Sequence, residues 1–381
     1  MTVATDSTTA TRTGPRLLYV DNLRTALTVL VVVHHAAVTY STIPRWFYRE
    51  APTDASAAVL DCLLVLDQAF FMGAFFLVSG LFVPGSYDRK GGGRFLRDRL
   101  LRLGVPLLVW LLVLRAVVTV GQYTTARDDA AQQGVDMPYW QYYLGDWNLG
   151  PMWFVWVLFA FSALYALWRQ MFAGGEGRTP ATGRALGAAP VIGFVLGLSL
   201  LTYLWRIAVP MGLGITVMPT PGYLPQYAAL FVVGVLAPRR GWLEGLPRTA
   251  ARTGLAVAVV AAVALILVIA ASGDAYGGDG TWQSLATATC ESALAVGAVI
   301  GLLVLFRSHL GEQGRLRRFL SGHAYTVYLI HPVVLVTLGL ALAGVQAPAV
   351  VKFVLLAVLG LPLCWALALP VRALPGARRV L

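Results

Sequence analysis

Long apolar stretches recur along this chain and constrain its fold more than any other feature. A helix needs roughly 20 apolar residues to cross about 30 Å of hydrocarbon. The chain is 58% hydrophobic and 12% charged, whereas soluble domains average about 25% charged residues. The sequence therefore predicts an all-α integral membrane protein, a bundle of about ten transmembrane helices. The ten stretches are 18–40, 59–83, 100–122, 151–171, 189–209, 223–237, 253–271, 283–306, 319–343 and 349–371.

Basic residues are distributed unevenly among the segments that join these stretches. With the N-terminus in the cytoplasm, the cytoplasmic tails and turns carry 22 basic residues, and the opposite loops carry only Arg45, Arg49 and Arg127. Cytoplasmic loops of membrane proteins are enriched in Lys and Arg. The pattern predicts an N-in, C-in, multi-pass protein of the cytoplasmic membrane. Since orientation explains the net charge of +11, we expect no nucleic-acid partner.

The chain divides into three predicted parts. Residues 1–15 are polar and form a disordered cytoplasmic N-tail without the layout of a signal peptide. Residues 16–373 form one transmembrane domain, and residues 374–381 form a cytoplasmic C-tail. Cysteine and histidine spacings typical of metal ligands are absent. We therefore expect no metal site and no permanently bound cofactor.

The first apolar stretch carries polar residues on one side of a helix. At 100° per residue, Asp21, Arg24, Thr28 and His35 fall on one stripe, and His34 lies about 80° away from it. Arg24 and His35 are about 16 Å apart along the axis. Ionisable groups inside a membrane are costly, so the stripe is a candidate functional site. The alternative is structural: Arg24 reaches headgroups or pairs with Asp21, and His35 bonds a neighbouring helix.

Four arginines lead into the third apolar stretch, in the segment GGGRFLRDRLLRLGVP. Arg99 and Arg102 lie three residues apart on one face, at the membrane interface. Guanidinium groups bind phosphates well, so these two are candidates for holding an anionic ligand. We interpret the remaining basic residues of this turn, Arg89, Lys90, Arg94 and Arg97, as markers of topology.

Other polar residues lie in the apolar stretches. Near the outer ends they could form a polar cavity around His35, or simply ion pairs. The candidates for substrate contact are His34, Asp67, Arg115, Trp153, Glu291 and His331, with Arg206 as a further outer cation. For Trp153 an interfacial aromatic belt is the competing interpretation, and for His331, beside Pro332, a structural role is favoured.

Five motifs in order resemble the membrane acyltransferase family 3, most closely its glucan-biosynthesis protein C-like branch, which is associated with glucan succinylation. They are LLYVDNLRTALTVLVVVHH, FFMGAFFLVSGLF, FLRDRLLRLGVP, GPMWFVWVLF and AYTVYLIHP. The family's signature of Arg and His separated by ten residues falls on Arg24 and His35. Its Arg-x-x-Arg motif falls on Arg99 and Arg102, although Asp98 stands where the family often has another Arg.

The resemblance implies an acyltransferase-3-like domain of about ten spans. It also implies transfer of an acyl group, such as acetyl or succinyl, from cytoplasmic acyl-CoA to a hydroxyl of an extracytoplasmic glycan, lipid or secondary metabolite. In this interpretation Arg24, Arg99 and Arg102 hold the donor's phosphates and His35 is the general base. Asp21 completes the catalytic set by orienting Arg24. The competing function is that of a transporter or flippase for a glycan or lipid.

Overall fold

The computed structural model describes residues 17–43, 46–172 and 186–381. The expected N-tail at 1–15 lies outside these residues. The helices are α1 Leu18–Tyr40, α2 Ala57–Lys90, α3 Gly92–Val118, α4 Val120–Gln132, α5 Tyr139–Gly145, α6 Trp153–Phe172, α7 Ala188–Ala208, α8 Leu224–Arg240, α9 Trp242–Gly245, α10 Thr249–Ser272, α11 Trp282–His309, α12 Arg315–Ala341, α13 Ala349–Ala373 and α14 Ala377–Val380.

The described residues contain nine helical segments that are long and apolar enough to cross a membrane. They match nine of the ten predicted stretches. The remaining stretch, 223–237, forms α8, which has only 17 residues and contains Pro238. The all-α membrane fold is therefore confirmed, with the short α8 as the exception to ten similar spans.

Helix α1 lies inside the bundle, which explains why it can carry polar residues. It packs against α2, α11, α12 and α13. Its Val20, Val32, Ala36 and Ala37 are fully buried. In contrast, α7 and α10 expose most of their surface, as expected for helices that face lipid.

Helices α2 and α8 approach closely through glycines. A Cβ on Gly80 would lie 2.5 Å from the carbonyl oxygen of Phe231, and one on Gly234 would lie 2.2 Å from that of Leu77. Small residues permit this kind of backbone contact between membrane helices. The contact fixes α8 against the helix that flanks α1.

The loop after α1 is tied to the start of α13. The ammonium group of Lys352 bonds the Glu50 carboxylate, and Asp54 Oδ2 accepts the N–H of Ala349 at 2.9 Å. These bonds hold the described end of the loop, from Trp46 onward, against the bundle.

Candidate active site

A cavity of about 330 Å³ lies where the start of α1, the end of α2 and the start of α3 meet. We call it the arginine cavity, because the described residues that line it include Arg24, Arg89, Lys90, Arg99 and Arg102. Arg89 and Lys90, interpreted from sequence as topology markers, thus join the predicted anion-binding residues. Asp98 lines the cavity as well and pairs with Lys90 at 2.5 Å.

The Arg24 side chain is positioned by the turn of helix before it. Asp21 is nearly fully buried, and its Oδ1 lies 3.1 Å from NH2 of Arg24, whose side chain is 41% exposed. The ion pair has the expected three-residue helical spacing. Asp21 therefore contacts Arg24, as expected, and lies about 21 Å along the axis from His35.

Helix α3 is irregular beside Arg102. Its residues Leu100–Gly104 form a π-helical turn, a distortion that is frequent at functional sites. Pro106 has no N–H and cannot bond the Arg102 carbonyl four residues earlier. That carbonyl instead accepts the Tyr325 hydroxyl at 2.8 Å, which links Arg102 to α12.

His35 lies at the other end of α1 and faces the protein interior rather than lipid. Its Nδ1 is 2.9 Å from the Val31 carbonyl oxygen. The Trp46 ring stacks on the imidazole, with ring centroids 4.3 Å apart. His331, on α12, places its Nε2 3.2 Å from Nδ1 of His35.

These contacts determine which nitrogen of His35 can act as a base. A carbonyl oxygen only accepts hydrogen bonds, so Nδ1, which faces Val31, carries the proton in the neutral ring. The lone pair is then on Nε2. A histidine in this form can accept a proton from a hydroxyl group placed beside Nε2.

Two further cavities of similar volume meet at His35, and we call them the histidine cavities. His35, Pro151, Trp153 and Pro219 line both of them. The first has mainly apolar walls, with Leu64, Met72 and Ile269 among its lining residues. The second is lined in part by polar residues, which are Gln122, Asp146, Asn148 and Thr216. Trp153 therefore lies where a substrate contact is expected.

His34 faces α2 rather than His35. It lines the apolar histidine cavity, stacks on Phe71, and its Nδ1 is 3.6 Å from Oδ2 of Asp67. The carboxylate of Asp67 is buried and lies beside His34, not His35.

The structure does not bring Arg115, Arg206 or Glu291 to any of these cavities. Arg206 is fully buried, with NH1 2.7 Å from Glu291 Oε2. Arg115, also fully buried, donates to the backbone carbonyl of Asp146. Of the two interpretations left open by the sequence, ion pairs describe these residues.

Two residues were not singled out from the sequence: one that contacts His35 and one that holds the loop after α1. Trp46 lies in a loop, where no periodicity indicates its partner. Lys352 lies inside the last predicted span, and an intramembrane lysine is itself a signal that would have revealed it. Lys352 is 3% exposed and pairs with Glu50, four residues after Trp46.

The arginine cavity and the histidine cavities share no lining residue among those described. Along α1, Arg24 lines the former and Val31 and His35 line the latter. Leu27 and Thr28 lie between them, and both are buried. The two ends of the site are therefore about two helical turns apart along α1.

Fold and site together define a class: a polytopic helical membrane protein in which one buried helix connects a cationic cavity with a histidine. The chain belongs to the acyltransferase 3 family, because that family's model, described as an acyltransferase domain, matches residues 17–369, nearly the whole chain. No curated protein and no solved structure matches it. Family membership identifies the protein as a membrane acyltransferase.

Proposed function

We propose that this protein transfers an acyl group from cytoplasmic acyl-CoA to a hydroxyl group of an extracytoplasmic glycan, lipid or secondary metabolite. The observation that carries the proposal is the arrangement of α1. One helix contributes Arg24 to a cationic cavity and, eleven residues later, His35 to two cavities at the opposite end. Donor and acceptor can thus approach from opposite sides of the cytoplasmic membrane.

The arginine cavity suits the donor's phosphates. Acyl-CoA carries its negative charges at one end and its thioester at the tip of a long, thin arm. Arg24, Arg99 and Arg102 offer guanidinium groups, which bind phosphate oxygens in pairs of charge-assisted hydrogen bonds. Arg89 adds positive charge to the same cavity, whereas the charge of Lys90 is paired with Asp98. The excess of basic residues at this end supports its placement in the cytoplasm.

The donor arm has to pass the section of α1 that carries the buried side chains of Leu27 and Thr28. Arg24 and His35 are about 16 Å apart along the helix, which is of the order that a thin arm can span. The passage must therefore open when the donor binds. Neighbouring helices such as α2 and α3 line the arginine cavity too, so donor binding can act on them directly.

His35 acts as general base in the transfer. Its Nε2 takes the proton of the acceptor hydroxyl while the oxygen attacks the thioester carbonyl carbon. The carbon–sulfur bond then breaks, and the departing thiolate of CoA receives the proton from the imidazolium. The products are the acyl ester and CoA thiol, and His35 is regenerated. A path through a transient acyl-histidine has the same products and needs the same residue.

Two buried arginines bear on the identity of the acyl group. A succinyl group carries a free carboxylate at its far end, which a cation such as Arg115 or Arg206 would have to bind. Both guanidinium groups are buried and engaged by other residues. They therefore provide no support for succinyl over acetyl transfer.

Release of CoA thiol by the purified protein tests the proposal. With acyl-CoA and an acceptor hydroxyl compound present, we expect thiol release that depends on the acceptor. His35→Ala should lower kcat by about 10²–10⁴-fold, the usual contribution of a general base. The matched control is His309→Ala, since His309 is exposed at the far end of α11. Full activity in folded His35→Ala would overturn the assignment of the base.

Donor binding is tested separately at the arginine cavity. Arg102→Gln should raise the KM for acyl-CoA more than the KM for the acceptor, because it removes a phosphate contact. Arg127→Gln is the control, because that guanidinium is exposed on α4. A transporter would move its cargo without releasing thiol, so acceptor-dependent thiol release also excludes the competing function.

A further inference from the structure

His331 lies within α12, fully buried, and is followed by a proline. Pro332 has no N–H, so it cannot bond the Tyr328 carbonyl four residues earlier. Nδ1 of His331 lies 2.7 Å from this carbonyl oxygen. Because a carbonyl only accepts, Nδ1 of the neutral ring carries its proton and Nε2 carries the lone pair.

The lone pair of His331 points to the imidazole ring of His35. Its Nε2 is 3.2 Å from Nδ1 of His35, which carries a proton because it also lies 2.9 Å from the Val31 carbonyl. The direction of the hydrogen bonds is therefore determined. His35 Nδ1–H donates to Val31 and His331, and His331 Nδ1–H donates to Tyr328.

We propose that His331 is a positioning residue for His35, acting as the hydrogen-bond acceptor that holds the base in orientation. The inference rests on the proposed function, in which His35 Nε2 takes the acceptor's proton. When His35 becomes an imidazolium, its Nδ1–H becomes a stronger donor, and an acceptor at Nδ1 then stabilises the charge. His331 lines none of the three cavities described above, so it acts through His35 rather than on the substrate.

Three substitutions separate hydrogen bonding from packing. His331→Phe keeps an aromatic ring but has no acceptor. His331→Asn keeps a group near the Nδ1 position, able to donate to Tyr328, but does not reach His35. His331→Gln places its Oε1 near the original Nε2 position and keeps the acceptor.

The measurement is kcat and the KM for both substrates in the purified full-length protein, with melting temperatures as a check of folding. Loss of the hydrogen-bond partner that orients a metal-bound histidine typically costs about 10–100-fold in activity, and we take the same order for His35. We expect this loss in kcat for the Phe and Asn variants, with unchanged KM values. The Gln variant should recover most of the activity.

The outcomes distinguish this inference from the proposed function. Wild-type kcat in folded His331→Phe, while His35→Ala is inactive, would overturn the inference and leave the proposed function intact. Equal losses in the Gln and Phe variants would show that an acceptor near the original Nε2 position does not restore activity, which also overturns it. Full activity in His35→Ala would remove the proposed function itself.

Discussion

The ion pair of Arg206 and Glu291 leads to a prediction that separates a structural role from substrate binding. Glu291 Oε1 accepts the Tyr223 hydroxyl at 2.7 Å, and Oε2 lies 2.7 Å from NH1 of Arg206. Arg206 also donates Nε–H to the Gly222 carbonyl at 3.3 Å and lies over the Tyr223 ring. Both charged side chains are at most 2% exposed. Glu291→Ala would leave a buried guanidinium without its counter-charge and a buried phenol without its acceptor.

The expected loss follows from the burial of the pair. Removing one partner of a buried ion pair costs about 3–5 kcal/mol, because the remaining charge stays desolvated and uncompensated. In domains of 150–250 residues, 1 kcal/mol shifts the melting temperature by about 2–4 °C, and the shift is smaller in larger chains. For this chain we therefore expect Glu291→Ala to lower the melting temperature by about 5–10 °C.

The assay is thermal unfolding of the purified protein in detergent, combined with the KM for the acceptor. Glu291→Gln retains an oxygen for the Tyr223 hydroxyl and should lose less than the alanine variant. Replacing Arg206 and Glu291 together with methionine removes both charges and should restore most of the stability. The control is Arg127→Ala, which removes an exposed partner of Asp128 and should not shift the melting temperature measurably.

One pattern of results would refute the structural role of the pair. If Glu291→Ala unfolds at the wild-type temperature but raises the KM for the acceptor, Glu291 contacts substrate. The sequence-based prediction that Glu291 contacts substrate would then be correct, and the structural role of the ion pair would be wrong.

Two further predictions concern the loop that carries Trp46. Lys352→Ala leaves Glu50 without its ammonium partner, so we expect a lower melting temperature and a reduced kcat. Lys352→Arg should largely rescue both. An unchanged kcat in Lys352→Ala would mean that the ion pair does not position the loop. Hydrogen bonds from the Ser56 hydroxyl and the Ala349 N–H lower the pKa of Asp54 below its ordinary value. The stabilisation is therefore present at neutral pH and is lost as the pH falls below about 4 towards the lowered pKa. Melting curves from pH 6 to pH 3 should show this loss in the wild type and not in Asp54→Ala; identical curves would contradict it.

The fold and one side of the site could be predicted from the sequence, because both depend on local patterns. Apolar stretches of spanning length predict membrane helices, and the helical period alone places Arg24 and His35 on one stripe of α1. The spacing of Arg99 and Arg102 likewise predicts a common face. Their association with Arg24 in one cavity was a hypothesis from the family resemblance that the structure supports.

Contacts between distant parts of the chain could not be predicted in this way. Helical periodicity gives the direction of His331 on its own helix, but not that α12 packs against α1 and brings Nε2 within 3.2 Å of His35. Likewise, Asp67 was a candidate for substrate contact, and the packing of α2 against α1 places its carboxylate beside His34.

The sequence by itself determined that this is a helical membrane protein with a cationic end and a histidine on one helix, because hydrophobic length and a period of 3.6 residues are local properties. Only the tertiary structure decided which charges neutralise one another inside the bundle and which remain available at a cavity. The physical reason is that a buried charge must find its counter-charge across helix interfaces. In this chain such partners come from segments far apart in sequence, as Arg206 and Glu291 do.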